Sequence, residues 1–212
     1  MTFVDFKKIR NADLDTANSS WNVHDDLKDK NLTELQEISA ADRLPWHTMA
    51  VNLTGDLNVG TIIRTSHCLG ASSVLVIGRT KLDRRSLVGA EKYTTVEKYR
   101  TVDDKFDLKI DEIVKILSDK KLTPVFCESG GIPLAKINWK IRIEAMNLAG
   151  TQPCLVMGNE TGGIPPELLV LSDILRNSFI ASIPQKGVIR SLNVAVAHSI
   201  IAANMCSNMG WI

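Results

Sequence analysis

The chain is poor in aromatic residues and has no long apolar run. Phe, Trp and Tyr together make up 5% of its 212 residues. The longest apolar stretches, such as SVLVIG and CLVMG, fall well short of the roughly 20 residues that a membrane-spanning helix needs. The opening residues MTFVDFKKIR also lack the apolar core of a secretory signal. We therefore expect a cytoplasmic protein that does not enter a membrane.

Cysteines are few and do not form a framework. Cys68, Cys127, Cys154 and Cys206 lie far apart, and none of them belongs to a CxxC pair. This spacing favours reduced, buried thiols over a set of disulfides or a zinc site. We expect no metal.

The chain also has no large excess of either charge sign, since it contains 25 Lys and Arg residues and 24 Asp and Glu residues. The charges are unevenly placed, however. Residues 1–50 are net acidic, whereas the stretch 79–100, RTKLDRRSLVGAEKYTTVEKYR, contains seven basic and three acidic residues. Such a stretch is typical either of a surface that attracts phosphates or of an ordinary solvated face, and charge alone does not separate the two.

Short apolar segments alternate with helical patterns from Trp46 onward. The continuous apolar segments predict buried strands, and their alternation with helices predicts an α/β domain with a mostly parallel sheet and helices on both faces. The predicted strands are HTMAVNL, SSVLVIG, residues 94–99, TPVFCES, PCLVMG and SFIASIP. The predicted helices are residues 58–69, a short one near 85–93, FDLKIDEIVKILSDKK, PPELLVLS and SLNVAVAHSIIAANMC.

The first 45 residues differ in character and predict a helical extension. Phe3, Phe6 and Ile9 have helical spacing, and NLTELQEISAADRL predicts a second helix that ends before Pro45. We therefore divide the chain into an extension, residues 1–45, and a main domain, residues 46–212.

Small polar residues follow several of the predicted strands, in the segments TGDLNVG, ESGG, NETGGIP and QKGVIRSLN. Ligands of parallel sheets bind beyond the carboxyl ends of the strands, so these segments predict a binding site. Neither GxGxxG nor GxxxxGK[ST] occurs, which argues against an ordinary dinucleotide or ATP site. Asn58 is expected to cap the helix that it begins, and Ser191 to cap the last helix with Asn193 in the first turn.

Arg64 is an unexpected residue in a helix that is otherwise built for packing. Val59, Ile62, Ile63, Ser66 and Leu69 predict the core face, while Arg64 shares another face with Gly60, Thr61, His67 and Cys68. A guanidinium near the strand-end segments suits a phosphate or a ribose. The alternative is a surface arginine paired with a carboxylate.

Three blocks of the chain together resemble the SpoU (TrmH-like) branch of the SPOUT RNA methyltransferases. NVGTIIRTSHCLGASSVLVIG is similar to the N-x-G-x-x-x-R block of that family. CLVMGNETGGIP is similar to its G-x-E-x-x-G block, and IPQKGVIRSLNVAVAHSI to its I-P…S-L-N-V-x-V-A block. Their order and spacing agree, and the resemblance covers about residues 46–206.

The resemblance implies a homodimer with a C-terminal trefoil knot that transfers a methyl group from S-adenosyl-L-methionine to a ribose 2′-hydroxyl of tRNA or rRNA. The alternative is a knotted RNA-binding protein without catalytic activity. The residues that match the family's polar set, and so imply catalysis, are Arg64, Asn58, Glu160, Ser191 and Asn193. The residues implied to contact the cofactor are Gly158, Ile183, Leu192 and Glu128.

Structural roles are open for several of these residues. Glu160 also suits a carboxylate that accepts backbone N–H groups, and Ser191 and Asn193 also suit helix caps. Because a guanidinium is almost always protonated, Arg64 is expected to stabilise the oxyanion and a nearby phosphate rather than act as a literal base. His67 and His198 are interpreted as structural. Gln185 stands where the family commonly has Met.

Overall fold

Six parallel strands form one sheet in the computed structural model, which describes residues 22–78, 82–102, 108–189 and 191–212. Within these ranges every pair of neighbouring strands is parallel, and the order is β3-β2-β1-β5-β4-β6. The strands are β1 (Leu44–Val51), β2 (Ala71–Ile77), β3 (Val96–Tyr99), β4 (Leu122–Pro133), β5 (Gln152–Met157) and β6 (Phe179–Ser182). The predicted α/β fold is confirmed, and the knot stays a prediction.

Eight α-helices lie in the part of the chain that the structure describes. They are α1 (Leu32–Ala41), α2 (Asp56–Cys68), α3 (Arg84–Leu87), α4 (Ile110–Asp119), α5 (Trp139–Leu148), α6 (Pro166–Leu169), α7 (Leu171–Ile174) and α8 (Val194–Met209). None of the helices in these ranges is both long and apolar enough to cross a membrane. The helix predicted through Phe3, Phe6 and Ile9 lies outside the described residues.

The extension helix α1 begins with a reciprocal cap. The Glu34 N–H donates to Asn31 Oδ1 over 3.0 Å, and the Asn31 N–H donates to Glu34 Oε2 over 2.7 Å, which satisfies two N–H groups that a helix start leaves free. The helix ends at Ala41, earlier than predicted, because β1 already begins at Leu44. The predicted division after residue 45 therefore falls inside the first strand of the sheet.

The core face of α2 agrees with its apolar pattern. Val59, Ile62, Ile63 and Ser66 are buried, and only Leu69 is half-buried. Gly60, which shares another face with Arg64, is also buried. A Cβ atom at Gly60 would lie 1.9 Å from the Ser86 hydroxyl oxygen, so α3 covers the helix at this point.

His198 is a core residue, in agreement with its structural interpretation. Its Nε2 atom lies 3.0 Å from the Thr48 hydroxyl oxygen and 3.4 Å from that of Ser66. Complete burial lowers the pKa of His198 to about 3, because removing water disfavours the charged imidazolium. The ring is therefore neutral at physiological pH and links α8 to β1 and α2.

The four cysteines were predicted to be buried, and the structure confirms this for only some of them. Cys154 and Cys206 are buried and Cys127 is half-buried, but Cys68 is exposed. Its position near the end of α2 puts it on the same side of the helix as Arg64, away from the sheet.

Candidate functional site

A cavity of about 700 Å³ opens at the carboxyl ends of β4, β5 and β6. Parallel sheets bind their ligands at this edge. Seven of the residues singled out in the sequence line the cavity: Glu128, Gly158, Glu160, Ile183, Ser191, Leu192 and Asn193. Gln185 lines it as well. The fold thus brings the segments that follow β4, β5 and β6 to one place.

Glu160 accepts four hydrogen bonds from the segment that leads into α2. The N–H and hydroxyl groups of Thr54 donate to Oε2 over 2.9 and 3.0 Å. The Gly55 N–H and Asn58 Nδ2 donate to Oε1 over 3.0 and 2.7 Å. Burial by itself would raise the pKa of Glu160, but these donors outweigh it and lower the pKa to about 2. The carboxylate is therefore ionised and fixed in place at neutral pH.

Asn58 extends this network to the start of α8. Its Oδ1 atom accepts a hydrogen bond from Asn193 Nδ2 over 2.9 Å. Glu160, Asn58 and Asn193 thus form a continuous chain of side chains, which we call the Glu160 network. It joins the segment after β1, the segment after β5 and the N-terminus of α8.

The predicted cap of α2 is wrong, and of the two candidates for the cap of α8, Asn193 is confirmed and Ser191 is wrong. Helix α2 begins at Asp56 after Gly55, so Asn58 lies in its first turn, where its side chain is free to reach Glu160. Asn193 caps α8, since its Oδ1 accepts from the N–H groups of Ala195 and Val196 over 2.9 and 3.2 Å. Ser191 lies two residues earlier, is exposed, and lines the cavity.

The segment after β5 folds back tightly on itself. The N–H groups of Asn159 and Gly163 each donate to the carbonyl oxygen of the other residue over 2.8 Å. A Cβ atom at Gly158 would lie 2.3 Å from the carbonyl carbon of Gly163 and from the nitrogen of Ile164. Only glycine therefore fits at position 158 without moving the wall of the cavity.

Asn159 holds this fold-back, and the sequence reasoning missed it. Its Oδ1 atom accepts from the N–H groups of Thr161 and Gly162, and its Nδ2 atom donates to the Asn52 carbonyl oxygen over 2.8 Å. An asparagine that starts a glycine-containing turn is a recognisable signal in GNETGG. Its link to Asn52, by contrast, depends on the packing of β5 against β1.

Glu128 reaches the cavity through an irregularity in β4. Cys127 and Ile132 both pair with Ala181, so residues 128–131 form an outward loop within the strand. Glu128 Oε2 accepts from the Ile164 N–H over 3.1 Å, and Oε1 accepts from the Ser129 N–H over 2.8 Å. The carboxylate thus presents oxygen acceptors beside the apolar side chains of Ile183 and Leu192.

Arg64 does not line this cavity. Its side chain is exposed and lines a second cavity of about 880 Å³, between α1, the end of α2 and the segment 87–93. No carboxylate of a described residue lies within 4.0 Å of it. The surface ion pair considered as an alternative is therefore absent from the described part of the chain.

Comparisons with known proteins agree with the three sequence blocks. The model of the SpoU rRNA Methylase family matches residues 46–203. Among solved structures, the TrmH/SpoU tRNA modifying enzyme of A. aeolicus is 20% identical, with a TM-score of 0.63 over 85% of this chain and 84% of that chain. No curated protein matches significantly.

Two further structures are described as bound to AdoMet (S-adenosyl-L-methionine). The rRNA methyltransferase of Sinorhizobium meliloti is 23% identical, with a TM-score of 0.61 over 82% of this chain and 60% of that one. AviRb, a SpoU methyltransferase of Streptomyces viridochromogenes, is 21% identical, with a TM-score of 0.60 over 79% and 58%. The chain spans less than two thirds of the length of these two proteins, and at such identities the likeness shows the fold. Since the family model covers well over half of the sequence, the chain belongs to the SpoU rRNA methylase family.

Proposed function

We propose that this protein is an RNA methyltransferase that transfers the methyl group of S-adenosyl-L-methionine to a ribose 2′-hydroxyl. The observation that carries the proposal is the cavity at the strand ends: the second and third family-like blocks line it, and the Glu160 network joins them to Asn58 of the first block. Family membership supports the reaction class. The substrate class is tRNA or rRNA, and the assay described below distinguishes the two.

The lining of the cavity fits S-adenosyl-L-methionine. Ile183 and Leu192 supply apolar surface for the faces of an adenine ring, and the Glu128 carboxylate supplies acceptors for hydroxyl or ammonium groups. Gly158 and Gly163 keep the wall of the cavity compact. A side chain at position 158 would clash with the backbone of residues 163 and 164, and one at position 163 with the Glu128 carboxylate. When bound, the cofactor supplies an electrophilic methyl group.

The chain's own residues would arrange the site around that group. Glu160, through Asn58 and Asn193, holds the three segments at fixed distances from one another, so we assign it a positioning role. Ser191, exposed at the rim, is available to contact the RNA. The ribose hydroxyl is a poor nucleophile, and a nearby positive charge lowers the free energy of its oxyanion. Arg64 is the candidate for this charge.

The location of Arg64 favours a homodimer. The guanidinium lies outside the cavity of its own chain, so it would act on RNA held at the cavity of a second copy. Apolar side chains are exposed on the neighbouring helix faces: Leu57 on α2, and Val196 and Ile200 on α8. Packing two copies through these faces would remove that apolar surface from water.

Methyl transfer from labelled S-adenosyl-L-methionine to total tRNA and, separately, to rRNA tests the proposal. We expect label in one pool with the wild type and a loss of at least about 100-fold with Arg64→Ala, the usual scale for one oxyanion-stabilising group. Arg176→Ala is the matched control. Arg176 is also exposed, but it follows α7 in the sequence and does not line the cavity.

Each result separates one part of the proposal from the rest. Near-normal turnover by Arg64→Lys would exclude a requirement for guanidinium geometry. Bound cofactor without label in either pool would exclude both RNA classes as substrates. Absence of both label and cofactor binding would favour the RNA-binding protein without catalytic activity.

A further inference from the structure

The second cavity is larger than the proposed cofactor cavity and lies elsewhere in the fold. Its volume is about 880 Å³, and it is bounded by the extension and by the end of α2. Leu35 and Ile38 of α1 line it, as do Leu87 and Val88. No residue of the Glu160 network lines this cavity.

Arg64, His67 and Tyr93 give this cavity a distinctive chemistry. The rings of His67 and Tyr93 lie 5.9 Å apart and tilted by 34°. The Arg64 guanidinium has no ion-pair partner among the described residues, while Asp42 lines the side nearer α1. Aromatic and apolar walls beside a free arginine are what proteins use to bind an unstacked base together with its phosphate.

We propose that this cavity binds an unpaired nucleotide of the substrate RNA, next to the one that is methylated. The phosphate lies on Arg64, and the base enters between the apolar wall of α1 and the His67 and Tyr93 rings. The inference rests on the proposed function, because Arg64 is the residue that brings RNA to this face.

The proposal also gives the extension a role. Helix α1 and Arg43, which follows it, hold the segment that carries Tyr93. Gln36 Nε2 donates to the Lys92 carbonyl oxygen, and the Ser39 hydroxyl and the Arg43 guanidinium both donate to that of Tyr93. The extension thus completes a wall of the cavity by packing. A net acidic segment does not need to neutralise phosphates in order to do so.

The exposed thiol of Cys68 lines this cavity and provides a probe. Cys154 and Cys206 are buried, and burial raises the pKa of the Cys127 thiol, so N-ethylmaleimide will alkylate Cys68 first. We expect unfractionated tRNA or rRNA, whichever accepts methyl groups, to slow alkylation of Cys68 in the full-length protein several-fold. S-adenosyl-L-methionine alone is expected to leave the rate unchanged.

Two variants give an independent measurement. Cys68→Trp fills part of the cavity and is expected to raise the KM for RNA about tenfold, the scale of one lost stacked base, with cofactor affinity unchanged. Leu148→Trp adds the same bulk at the end of α5, where Leu148 is 84% exposed and does not line this cavity, and should behave as wild type.

Specific outcomes would overturn the inference. Alkylation of Cys68 at the same rate with and without an RNA that is being methylated would exclude a nucleotide from the cavity. A thiol that is unreactive in the free protein would mean that the chain itself, or a second copy, covers it. Failure of the proposed function appears differently, as an absence of methyl transfer by the wild type. RNA that protects Cys68 without being methylated would support nucleotide binding in this cavity but not the methyltransferase activity.

Discussion

Glu160 shows how a single residue organises the site. Its carboxylate accepts four hydrogen bonds, from Thr54, Gly55 and Asn58, more than 100 positions away in the sequence. Hydrogen bonds to a charged acceptor are stronger than those to a neutral one. The structural interpretation raised from the sequence, a carboxylate accepting backbone N–H groups, agrees with the geometry, and the carboxylate also receives side-chain donors.

Replacing Glu160 by Gln is expected to destabilise the protein at neutral pH by about 1–2 kcal/mol, after allowance for solvent exposure. The native pKa of about 2 is below the ordinary value of 4.5, so the carboxylate stabilises the fold above pH 4.5 and loses this effect as the pH falls toward 2. Thermal unfolding at a series of pH values should therefore show the wild type and Glu160→Gln converging in acid. The exposed Glu167 provides the control, because Glu167→Gln should unfold at the same temperature as the wild type at every pH. A constant gap between wild type and Glu160→Gln down to pH 3 would contradict this account.

At the scale of elements, the fold-back after β5 shapes the cavity wall. Gly158 and Gly163 approach so closely that a methyl group at position 158 has no space. The same contact places the Ile164 N–H against Glu128, and so connects the loop after β5 to the irregular part of β4.

Gly158→Ala is expected to lower the free energy of unfolding by about 1–3 kcal/mol through overpacking and to weaken binding of S-adenosyl-L-methionine by displacing residues 159–164. Denaturant unfolding and calorimetric titration measure the two effects. Gly162→Ala is the control for stability, because a Cβ atom there meets no heavy atom within 4 Å. Equal stability of the two variants would show that the segment relaxes without cost.

Helix α5 is an element that the sequence reasoning did not predict. Trp139, Ile143 and Met146 are buried at helical spacing, and Asn138 caps the helix by accepting from the Ile141 N–H over 3.2 Å. Both signals were present in NWKIRIEAMNL. The missed helix covers the sheet beside α8, where Trp139 Nε1 donates to Asn204 Oδ1 over 2.8 Å.

At the scale of the whole molecule, Arg64 is separated from the proposed cofactor cavity. A methyltransferase that needs both groups at one substrate would need a second copy to supply the arginine. The exposed apolar side chains of α8 lie on the face suited to that contact, with Ile200 40% exposed.

Ile200→Asp is therefore expected to convert a dimer into a monomer and to abolish methyl transfer, because a carboxylate at the centre of an apolar contact would lose its hydration. Light scattering during gel filtration gives the mass, and the methylation assay gives the activity. Ile141→Asp is the control, since Ile141 is 63% exposed on α5, a different helix. A wild-type monomer that is fully active would refute the dimer.

The α/β class, most of the elements and the blocks that form the site follow from local sequence patterns. Continuous apolar strands, helical periodicity and glycine-rich strand ends are local patterns, and each restricts the backbone within a few residues. The core face of α2 and the burial of His198 followed from the same local rules.

Which polar groups meet depends instead on the packing of distant segments. Asn58 was expected to cap a helix, but packing of β1 beside β5 puts it against Glu160 and Asn193. The exposure of Cys68 and the separation of Arg64 from the proposed cofactor cavity likewise depend on how α1, α2 and α8 pack together. Contacts between residues more than 100 positions apart arise from sheet order, and no local pattern in the chain encodes that order.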